Sequence, residues 1–448
     1  MSRPWYRELT PYHWLVFIVA SAAWFFDCMD QRLFSLARTP ALESLMSGAD
    51  PGAVQAAGKQ VTAAFLVGWG IGGIVFGSLG DRLGRARMLT TTVLLYSVCT
   101  GLTYFSRGFW DFAISRFLTG LGIGGVFGLA VSLIAETVSP TARAGALGML
   151  QVLSTIGNIA AGFTKMGIDK LEQTGAITSG YGWRWMFVVG ALPALLVVLT
   201  RKYLREPEPW LKMRDEGKLP TGSLLQPYFN LWADTRWRRN LIVGAVLATT
   251  GVVGLWGIGE YAVDLQKNIF ATYFTEKGLT PEQVKAEVGW AISWAYIFQM
   301  LGAAVGMWLF TKLAVRSGRR LAFAVGFTAC LLVTLGVYYK METPTDAYWM
   351  MPLMGAAQLA VFAGFAIYLP ELFPSRLRSS GTSFCYNLGR FAAAAGSLFS
   401  AQLATGLYGD FGSPLKERYA AMTMCAVFLA GLAILPFAPE TKDQPLPE

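Results

Sequence analysis

The chain has 448 residues, of which 54% are hydrophobic and 15% are charged, and its formal net charge is +9. Soluble domains typically carry about 25% charged residues, so this composition excludes a large soluble domain. The five cysteines are scattered through apolar segments without a CxxC pair, which argues against a disulfide framework and against a metal site.

Apolar runs of about 20 residues, the length that crosses a bilayer, follow one another along the whole chain. We predict an all-α integral membrane protein with twelve membrane-spanning helices, and a loop over Pro40–Gly58 between spans 1 and 2. Spans 1 to 6 are predicted at His13–Ala37, Lys59–Gly80, Met88–Ser106, Phe109–Ala135, a fifth span that ends near Met166, and Trp183–Leu204. Spans 7 to 12 are predicted at Leu241–Phe270, Val288–Leu313, Arg320–Tyr339, Ala347–Leu369, Gly381–Leu407 and Glu417–Pro436.

A polar, basic and proline-rich stretch at Arg201–Asn240 interrupts this pattern. It is too charged to span a membrane and too long for a tight turn. We therefore predict an N-terminal six-helix half over residues 1–204, a cytoplasmic linker over 205–240 and a C-terminal half over 241–448.

An internal repeat supports two halves of similar structure. Two short motifs recur at nearly the same offset: Gly84-Arg85 with Gly318-Arg319, 234 positions apart, and Glu136-x6-Arg143 with Glu371-x6-Arg378, 235 positions apart. In membrane transporters built from parallel repeats, the two repeats are related by an axis along the membrane normal, and the substrate binds at mid-membrane between them.

Basic residues gather in alternate loops, which by the positive-inside rule places both termini in the cytoplasm. The positive net charge then reflects membrane topology, and we expect no nucleic-acid partner. The chain contains no Asn-x-Ser/Thr sequon, which favours a bacterial source and hence the plasma (bacterial inner) membrane. We expect a monomer.

The turn predicted between spans 2 and 3, Gly77–Met88, reads GSLGDRLGRARM. It resembles the signature loop of the major facilitator superfamily, G-x-L-x-D-R-x-G-R-[KR], and the matching residues are Gly77, Leu79, Asp81, Arg82, Gly84 and Arg85. The resemblance implies a secondary transporter of two pseudo-symmetric halves and not an enzyme. It also implies that a proton gradient supplies the energy and that no cofactor is needed.

Further strings resemble the sugar-porter and organic-ion branches of this superfamily: LPELFPSRLRSSG before span 11, REPEPWL after span 6 and PETK after span 12. The resemblance implies a conformational latch in which Asp81 lies near the N-terminus of span 11, where a helix carries about half a positive charge. The predicted latch residues are Gly77, Asp81, Arg82, Gly84, Arg85, Glu136, Arg143, Glu371 and Arg378.

Charged groups within a span cost about 2.5–3.5 kcal/mol each on insertion scales, so each one is a functional candidate. Asp27 and Asp30 are three residues apart and share one face of span 1. Two carboxylates close together in a low dielectric suit a proton carrier. Arg116 of span 4 lies at a similar depth, in a string that resembles the R-x3-G-x-G-x-G proton-coupling motif of the superfamily.

We therefore predict that Asp27 or Asp30 carries a proton and that Arg116 pairs with one of them. The alternative is that both acids are held by arginines and only pack helices.

Span 11 contains CYNLGRFAAAAG, in which Arg390 lies near mid-membrane. A guanidinium forms a planar fork that matches a carboxylate. The NLGR string resembles span 11 of aromatic-acid, sialate and organic-anion transporters, which implies that Arg390 binds an anionic substrate. The alternative is a structural ion pair with Glu260 or Asp264 of span 7.

The neutral polar side chains within spans line the substrate cavity or bond across helices, and the sequence does not separate these roles. The predicted substrate-binding residues are Arg390, Tyr386, Asn387, Gln151, Asn158, Glu260, Gln299 and Gln358. The sequence thus predicts proton-coupled symport of a small organic anion by alternating access. A sugar or organic-cation porter of the same superfamily and an uncoupled facilitator are the alternatives.

Overall fold

The computed structural model of the chain describes residues 4–402, 406–412 and 415–447. The side chains at positions 51, 198–199, 260–261, 263–264 and 396–402 lie outside the described part. Within the described residues all regular secondary structure is helical.

The chain begins with long helices and passes through short ones into a second series of long helices. The first series is α1 (Pro11–Leu45), α2 (Pro51–Leu83), α3 (Arg85–Leu102), α4 (Phe109–Thr137), α5 (Pro140–Gln173), α6 (Gly182–Gly190) and α7 (Leu196–Tyr203). Two short helices follow, α8 (Glu208–Asp215) and α9 (Gln226–Ala233). The second series is α10 (Thr235–Val252), α11 (Gly259–Glu276), α12 (Pro281–Ser317), α13 (Arg319–Lys340), α14 (Pro344–Gln358), α15 (Ala360–Glu371), α16 (Arg378–Gln402), α17 (Leu415–Met424) and α18 (Val427–Ile434).

Eleven segments of the described chain are long and apolar enough to cross a membrane. Several of them contain an interruption: a 3-10 turn at Leu192–Leu195 separates α6 from α7, and a π-helix at Val253–Ile258 joins α10 to α11. The long helix α16 lies at the position of the predicted span 11. Together these segments account for the twelve predicted spans.

The predicted loop Gly77–Met88 is wrong in extent, because α2 continues to Leu83 and α3 begins at Arg85. The turn is the single residue Gly84, whose φ of +108° is readily adopted only by glycine. Asp81 and Arg82 therefore lie in the last turn of α2. Their side chains are fixed by a helix and not by a loop.

Other predicted boundaries are also corrected. The predicted loop Pro40–Gly58 shrinks to residues 46–50, because α1 continues through Pro40 and Asp50 caps α2 by accepting a hydrogen bond from the Ala53 amide at 3.2 Å. The predicted linker contains α8 and α9, and the next spanning segment already begins at Thr235. Helix α12 is longer at both ends than the predicted span 8.

The chain forms two compact units. One comprises Met1–Leu241, Leu369–Asn387 and Pro445–Glu448, and the other comprises Ile242–Tyr368 and Leu388–Gln444. The first part of α16 thus belongs with the N-terminal helices. The predicted division at residues 204 and 240 stays a prediction.

Each unit contains a pair of helices that pack closely through glycines. A Cβ added at Gly72 of α2 would meet the Leu121 backbone of α4, 2.7 Å from its carbonyl carbon. In the other unit, a Cβ at Gly306 of α12 would lie 2.6 Å from Ala356 Cα of α14. Gly72 and Gly306 are 234 positions apart, so the internal repeat extends to this packing. Small residues at such seams let helix backbones approach each other in a membrane.

A distant carboxylate caps the helix that follows the tight turn in each unit. Glu206 accepts hydrogen bonds from the amides of Ala86 (3.1 Å) and Arg87 (2.9 Å) at the start of α3. Burial raises the pKa of Glu206, and these two bonds only partly offset the shift.

In the second unit, Glu440 accepts from the amides of Arg319 (2.9 Å) and Arg320 (3.1 Å) at the start of α13. Burial acts to raise the pKa of Glu440 as well, but hydrogen bonds from four backbone amides outweigh it and the pKa is lowered. Glu206 and Glu440 are again 234 positions apart.

Candidate functional site

A fully buried ion pair joins α1 to α4. Asp30 Oδ2 lies 3.6 Å from Arg116 Nη1, and both side chains are fully buried. Thr100 of α3 donates a hydrogen bond to the other carboxylate oxygen at 2.9 Å. The predicted pairing of Arg116 with a span 1 acid is confirmed, and Asp30 is the partner.

Two hydroxyls and two aromatic rings surround the arginine of this pair. Arg116 Nη2 donates to Thr103 Oγ1 at 2.6 Å and to Thr119 Oγ1 at 2.9 Å. Its guanidinium lies 4.5 Å from the ring centroid of Phe187 and 5.8 Å from that of Phe34. We call Asp30, Arg116 and the three threonines the charge cluster. Removing one partner of a buried ion pair costs about 3–5 kcal/mol. A change of charge at Asp30 would therefore destabilise a contact that joins α1, α3 and α4.

The second acid of α1 lies one turn away. Asp27 is fully buried, and Gln31 of the same helix donates a hydrogen bond to its Oδ1 at 2.9 Å. Both acids are thus buried and bonded, Asp30 to Arg116 and Thr100 and Asp27 to Gln31. Which of them carries a proton stays a prediction.

A second buried cluster lies at the end of α2, next to the tight turn. Asp81 accepts hydrogen bonds from the backbone amides of Ser379 (3.1 Å) and Ser380 (2.8 Å) and from the Ser380 hydroxyl (2.6 Å). These amides belong to the first turn of α16, where backbone N–H groups have no partner within the helix. The predicted position of Asp81 at the start of span 11 is confirmed.

Three further charges complete this cluster. Arg85 Nη2 lies 3.0 Å from Asp81 Oδ1, and Arg85 Nε lies 3.1 Å from Glu136 Oε2. Glu136 also binds Arg378 of α16, with 2.8 Å between Oε1 and Nη1. We call Asp81, Arg85, Glu136 and Arg378 the latch cluster. Two acids and two arginines alternate, and all four side chains are buried, so their charges are balanced within the cluster.

The other predicted latch residues have different positions. Arg82 donates to the backbone carbonyls of Gly222 (2.8 Å) and Ser223, which precede α9. Glu371 is buried at the end of α15, and Arg143 is half-buried in the first turn of α5. Gly77 packs against Ser383 of α16, and Gly84 forms the turn.

Two of the predicted substrate residues, Gln151 of α5 and Tyr386 of α16, contact aromatic side chains. Tyr386 is stacked on Phe127 of α4, with 3.7 Å between ring centroids and 20° between ring planes. Trp24 of α1 lies 5.1 Å from Phe127 and donates from Nε1 to Gln151 Oε1 at 2.5 Å. Gln151 therefore bonds across helices, which is one of its two predicted roles.

Amide candidates also bond to helices. Asn387 Nδ2 donates to Ser383 O at 2.8 Å and to Gly124 O of α4 at 3.3 Å. Gln358 Nε2 donates to Thr334 Oγ1 at 3.1 Å, which joins α14 to α13.

The remaining described candidates lie within α5, α12 and α16. Asn158 donates to Ser154 O of its own helix at 3.1 Å, and Gln299 is buried in α12. Arg390 is buried in α16 at 2% exposure. The side chains of Glu260 and Asp264 lie outside the described residues, so the alternative partner of Arg390 is not tested.

The sequence profile of the family described as "Sugar (and other) transporter" matches residues 14–448. The chain belongs to this family. The cis,cis-muconate transport protein of Acinetobacter baylyi is 28% identical over 367 residues, which cover 82% of this chain and 82% of that protein. The sialic acid transporter NanX of Escherichia coli is 24% identical over 416 residues, which cover 92% of this chain and 91% of that protein.

Solved structures agree on the fold. The proton:xylose symporter XylE, a member of the major facilitator superfamily from E. coli, superposes with a TM-score of 0.75 at 18% sequence identity. The match covers 97% of this chain and 98% of XylE. The family match and this fold together make the protein a multi-pass membrane transporter with the twelve-helix major facilitator fold, and not an enzyme.

Sequence reasoning missed five hydroxyl residues, three within the charge cluster and two that donate hydrogen bonds to Asp81 of the latch cluster. They are Thr100, Thr103, Thr119, Ser379 and Ser380. The two serines directly follow Arg378, which the prediction included, in the string SRLRSSG. Their position at the start of span 11 could have indicated that they contact Asp81. The threonines carry no such signal, because hydroxyls are common in membrane helices and bond to the preceding turn.

Proposed function

We propose that this transporter is a proton-coupled symporter of a small organic anion, working by alternating access in a bacterial inner membrane with both termini in the cytoplasm. Relatives named for muconate and for sialic acid support a carboxylate as the cargo. Family membership alone leaves the substrate and the coupling ion open.

The observation that carries the proton coupling is the buried Asp30–Arg116 pair. Protonation of Asp30 removes the negative partner while the arginine stays charged. Because an unpaired buried charge costs several kcal/mol, Arg116 must then find other acceptors or move towards water. Thr103 and Thr119 already accept hydrogen bonds from Nη2, so they keep the arginine in place while Nη1 loses its contact with α1. Proton binding at Asp30 would in this way shift α1 relative to α4.

The cargo carboxylate is assigned to Arg390, whose planar guanidinium can donate two parallel hydrogen bonds to a carboxylate. Tyr386 lies one turn earlier on the same helix and stacks on Phe127. A planar cargo would compete for these ring faces, which favours an unsaturated or aromatic acid over a flexible one.

Substrate-driven proton movement tests the proposal. We would reconstitute the protein in liposomes, add candidate acids such as muconate and benzoate, and follow both uptake and external pH. We expect uptake to alkalinise the medium. In the Asp30→Asn variant, we expect uptake driven by a proton gradient to fall at least tenfold while exchange of labelled for unlabelled substrate continues, because exchange needs no net proton transfer.

Asp169→Asn is the matched control, because Asp169 is a partly exposed acid whose partner among the described residues is Lys165 one turn away, at 2.5 Å. Uptake without alkalinisation by the unmodified protein would contradict proton symport. Loss of exchange together with uptake in Asp30→Asn would mean that the ion pair is structural. Unchanged anion uptake in Arg390→Gln would contradict the assignment of the carboxylate to Arg390.

A sugar is the second candidate cargo. The description of the family names sugars before other substrates. Amide side chains such as Gln151 and Gln358 are neutral donors and acceptors that suit the hydroxyl groups of a sugar. A thermal-shift screen of the purified protein against monocarboxylates, pentoses and hexoses separates the two. Stabilisation by sugars alone would replace the organic anion in the proposal.

A further inference from the structure

The segment between α8 and α10 has one face fixed to α2. We call residues 222–233 the strap. Ser78 Oγ donates to Leu224 O at 2.7 Å, Arg82 Nη1 donates to Gly222 O at 2.8 Å, and the Tyr228 hydroxyl donates to Ile74 O at 2.5 Å. The strap is therefore a defined structure and not a free linker.

The other face of the strap is apolar and exposed. Its large side chains are Leu224 (43% exposed), Leu225 (51%), Phe229 (62%) and Trp232 (55%). On α9 the side chains between them, Pro227 and Leu231, are buried. Leucine, phenylalanine and tryptophan are the side chains with which interfacial helices enter the boundary between headgroups and acyl chains. The exposed face of the strap carries these residues.

The position of the strap along the chain brings this face to the bilayer surface. A spanning segment begins at Thr235, two positions after the end of α9. The apolar part of α10 begins at Leu241, after the arginines of its first turns and eight positions beyond the end of α9. At about 1.5 Å per helical residue, the strap therefore ends about 12 Å before the point where α10 becomes apolar.

The charges beside the exposed face are basic. Arg236 is exposed and Arg238 is half-exposed in the first turn of α10. The neighbouring acid, Asp234, already accepts hydrogen bonds from the amides of Arg236 (2.8 Å) and Trp237 (3.2 Å). The strap itself contains no acidic residue. Basic residues next to a membrane span are attracted to anionic lipid headgroups.

We propose that the exposed face of the strap lies in the headgroup layer and binds anionic phospholipid. Leu225, Phe229 and Trp232 insert between lipids, and Arg236 and Arg238 bind lipid phosphates. Because the opposite face is bonded to Ser78 and Arg82 of α2, bound lipid holds the strap on the end of the helix that carries Asp81. The composition of the surrounding leaflet then acts on the helix at which the latch cluster is built.

A spin label on the strap tests the proposal. All five native cysteines are buried, so a label on Phe229→Cys would attach selectively. The protein would be placed in nanodiscs of phosphatidylcholine, with or without 30% phosphatidylglycerol. Accessibility to oxygen, which concentrates in lipid, would be compared with accessibility to a polar nickel chelate. A label on Lys218→Cys is the control, because that lysine is exposed in the same linker and pairs with Glu216 at 2.8 Å.

We expect the ratio of oxygen to nickel accessibility at Phe229→Cys to be at least threefold higher than at Lys218→Cys. Phosphatidylglycerol should raise it further, and Arg236→Gln with Arg238→Gln should remove that increase without changing the ratio in pure phosphatidylcholine. Equal ratios at the two labels would overturn the proposal. A label that is water-exposed in nanodiscs but shielded in native membranes would also overturn it, because a protein partner would then cover the strap.

Discussion

The hydrogen bonds of Asp81 predict how much one charge contributes to the latch cluster. In Asp81→Asn, the side chain keeps its shape and one acceptor oxygen but loses its negative charge. Its new amide group must face one of the existing donors, Arg85 or the amides of Ser379 and Ser380.

The expected loss follows from these contacts. A hydrogen bond to a charged group contributes about 1.5–3 kcal/mol and a neutral one about 0.5–1.5 kcal/mol, so each weakened bond loses about 1 kcal/mol. Three such contacts give a loss of about 3 kcal/mol, which corresponds to roughly a 150-fold change in an equilibrium constant. We therefore expect the start of α16 to separate from α2 far more often in the variant.

Cys385 is a native reporter of this separation. It is fully buried in α16, and its Sγ lies 3.5 Å from Leu241 O. Its modification by a membrane-permeant maleimide, followed by peptide mass spectrometry, should be accelerated at least 30-fold in Asp81→Asn. Asp169→Asn should leave the rate unchanged, since a surface ion pair contributes at most about 1 kcal/mol. An unchanged rate at Cys385 in a folded Asp81→Asn protein would refute the reasoning.

Three further predictions concern packing, capping and the charge cluster. Gly72→Ala should destabilise the protein by about 1–3 kcal/mol in thermal denaturation, because the methyl group overlaps the α4 backbone, whereas Gly162→Ala has nothing within 4 Å and should be neutral. The pKa of Glu206 in the folded protein is raised above its ordinary 4.5, so just above pH 4.5 the folded state binds more protons than the unfolded state. The contribution of Glu206 to stability therefore falls as pH rises through this window. Glu206→Gln should flatten this part of a denaturation series from pH 4 to 7, and a slope that persists would assign it to another group. Arg116→Lys should lower uptake at least tenfold, because one ammonium cannot reach Asp30 and two threonine hydroxyls in the geometry of a planar fork; uptake within twofold of the unmodified protein would mean that only the charge matters.

The number and order of the spans could be read from the sequence because each one is a long apolar run. The ends of the helices could not. Polar residues at Asp81 and Arg82 were read as a loop, although helix termini tolerate charges that have partners in the fold. Pro40 was read as a break, yet α1 continues through it.

The candidate site was predictable where charge in a membrane is rare. Asp30 and Arg116 were found in this way, because a charged group within a span is costly and needs a partner. Asp81 and Glu136 were found instead through their resemblance to motifs of the superfamily. Their neutral partners were not found. The partner of Trp24 is Gln151, 127 positions away, and nothing local in either segment indicates that contact.

The carboxylate caps on α3 and α13 have a consequence for the order of events during biosynthesis. Glu206 is 120 positions beyond Ala86, and Glu440 is 121 positions beyond Arg319. At a synthesis rate of about 5–20 residues per second, the first turn of each helix waits roughly 6–24 s before its acceptor exists. Each bundle is thus closed by a residue made after its last span, so a ribosome stalled before either codon would leave the start of the corresponding helix open to water or to a chaperone.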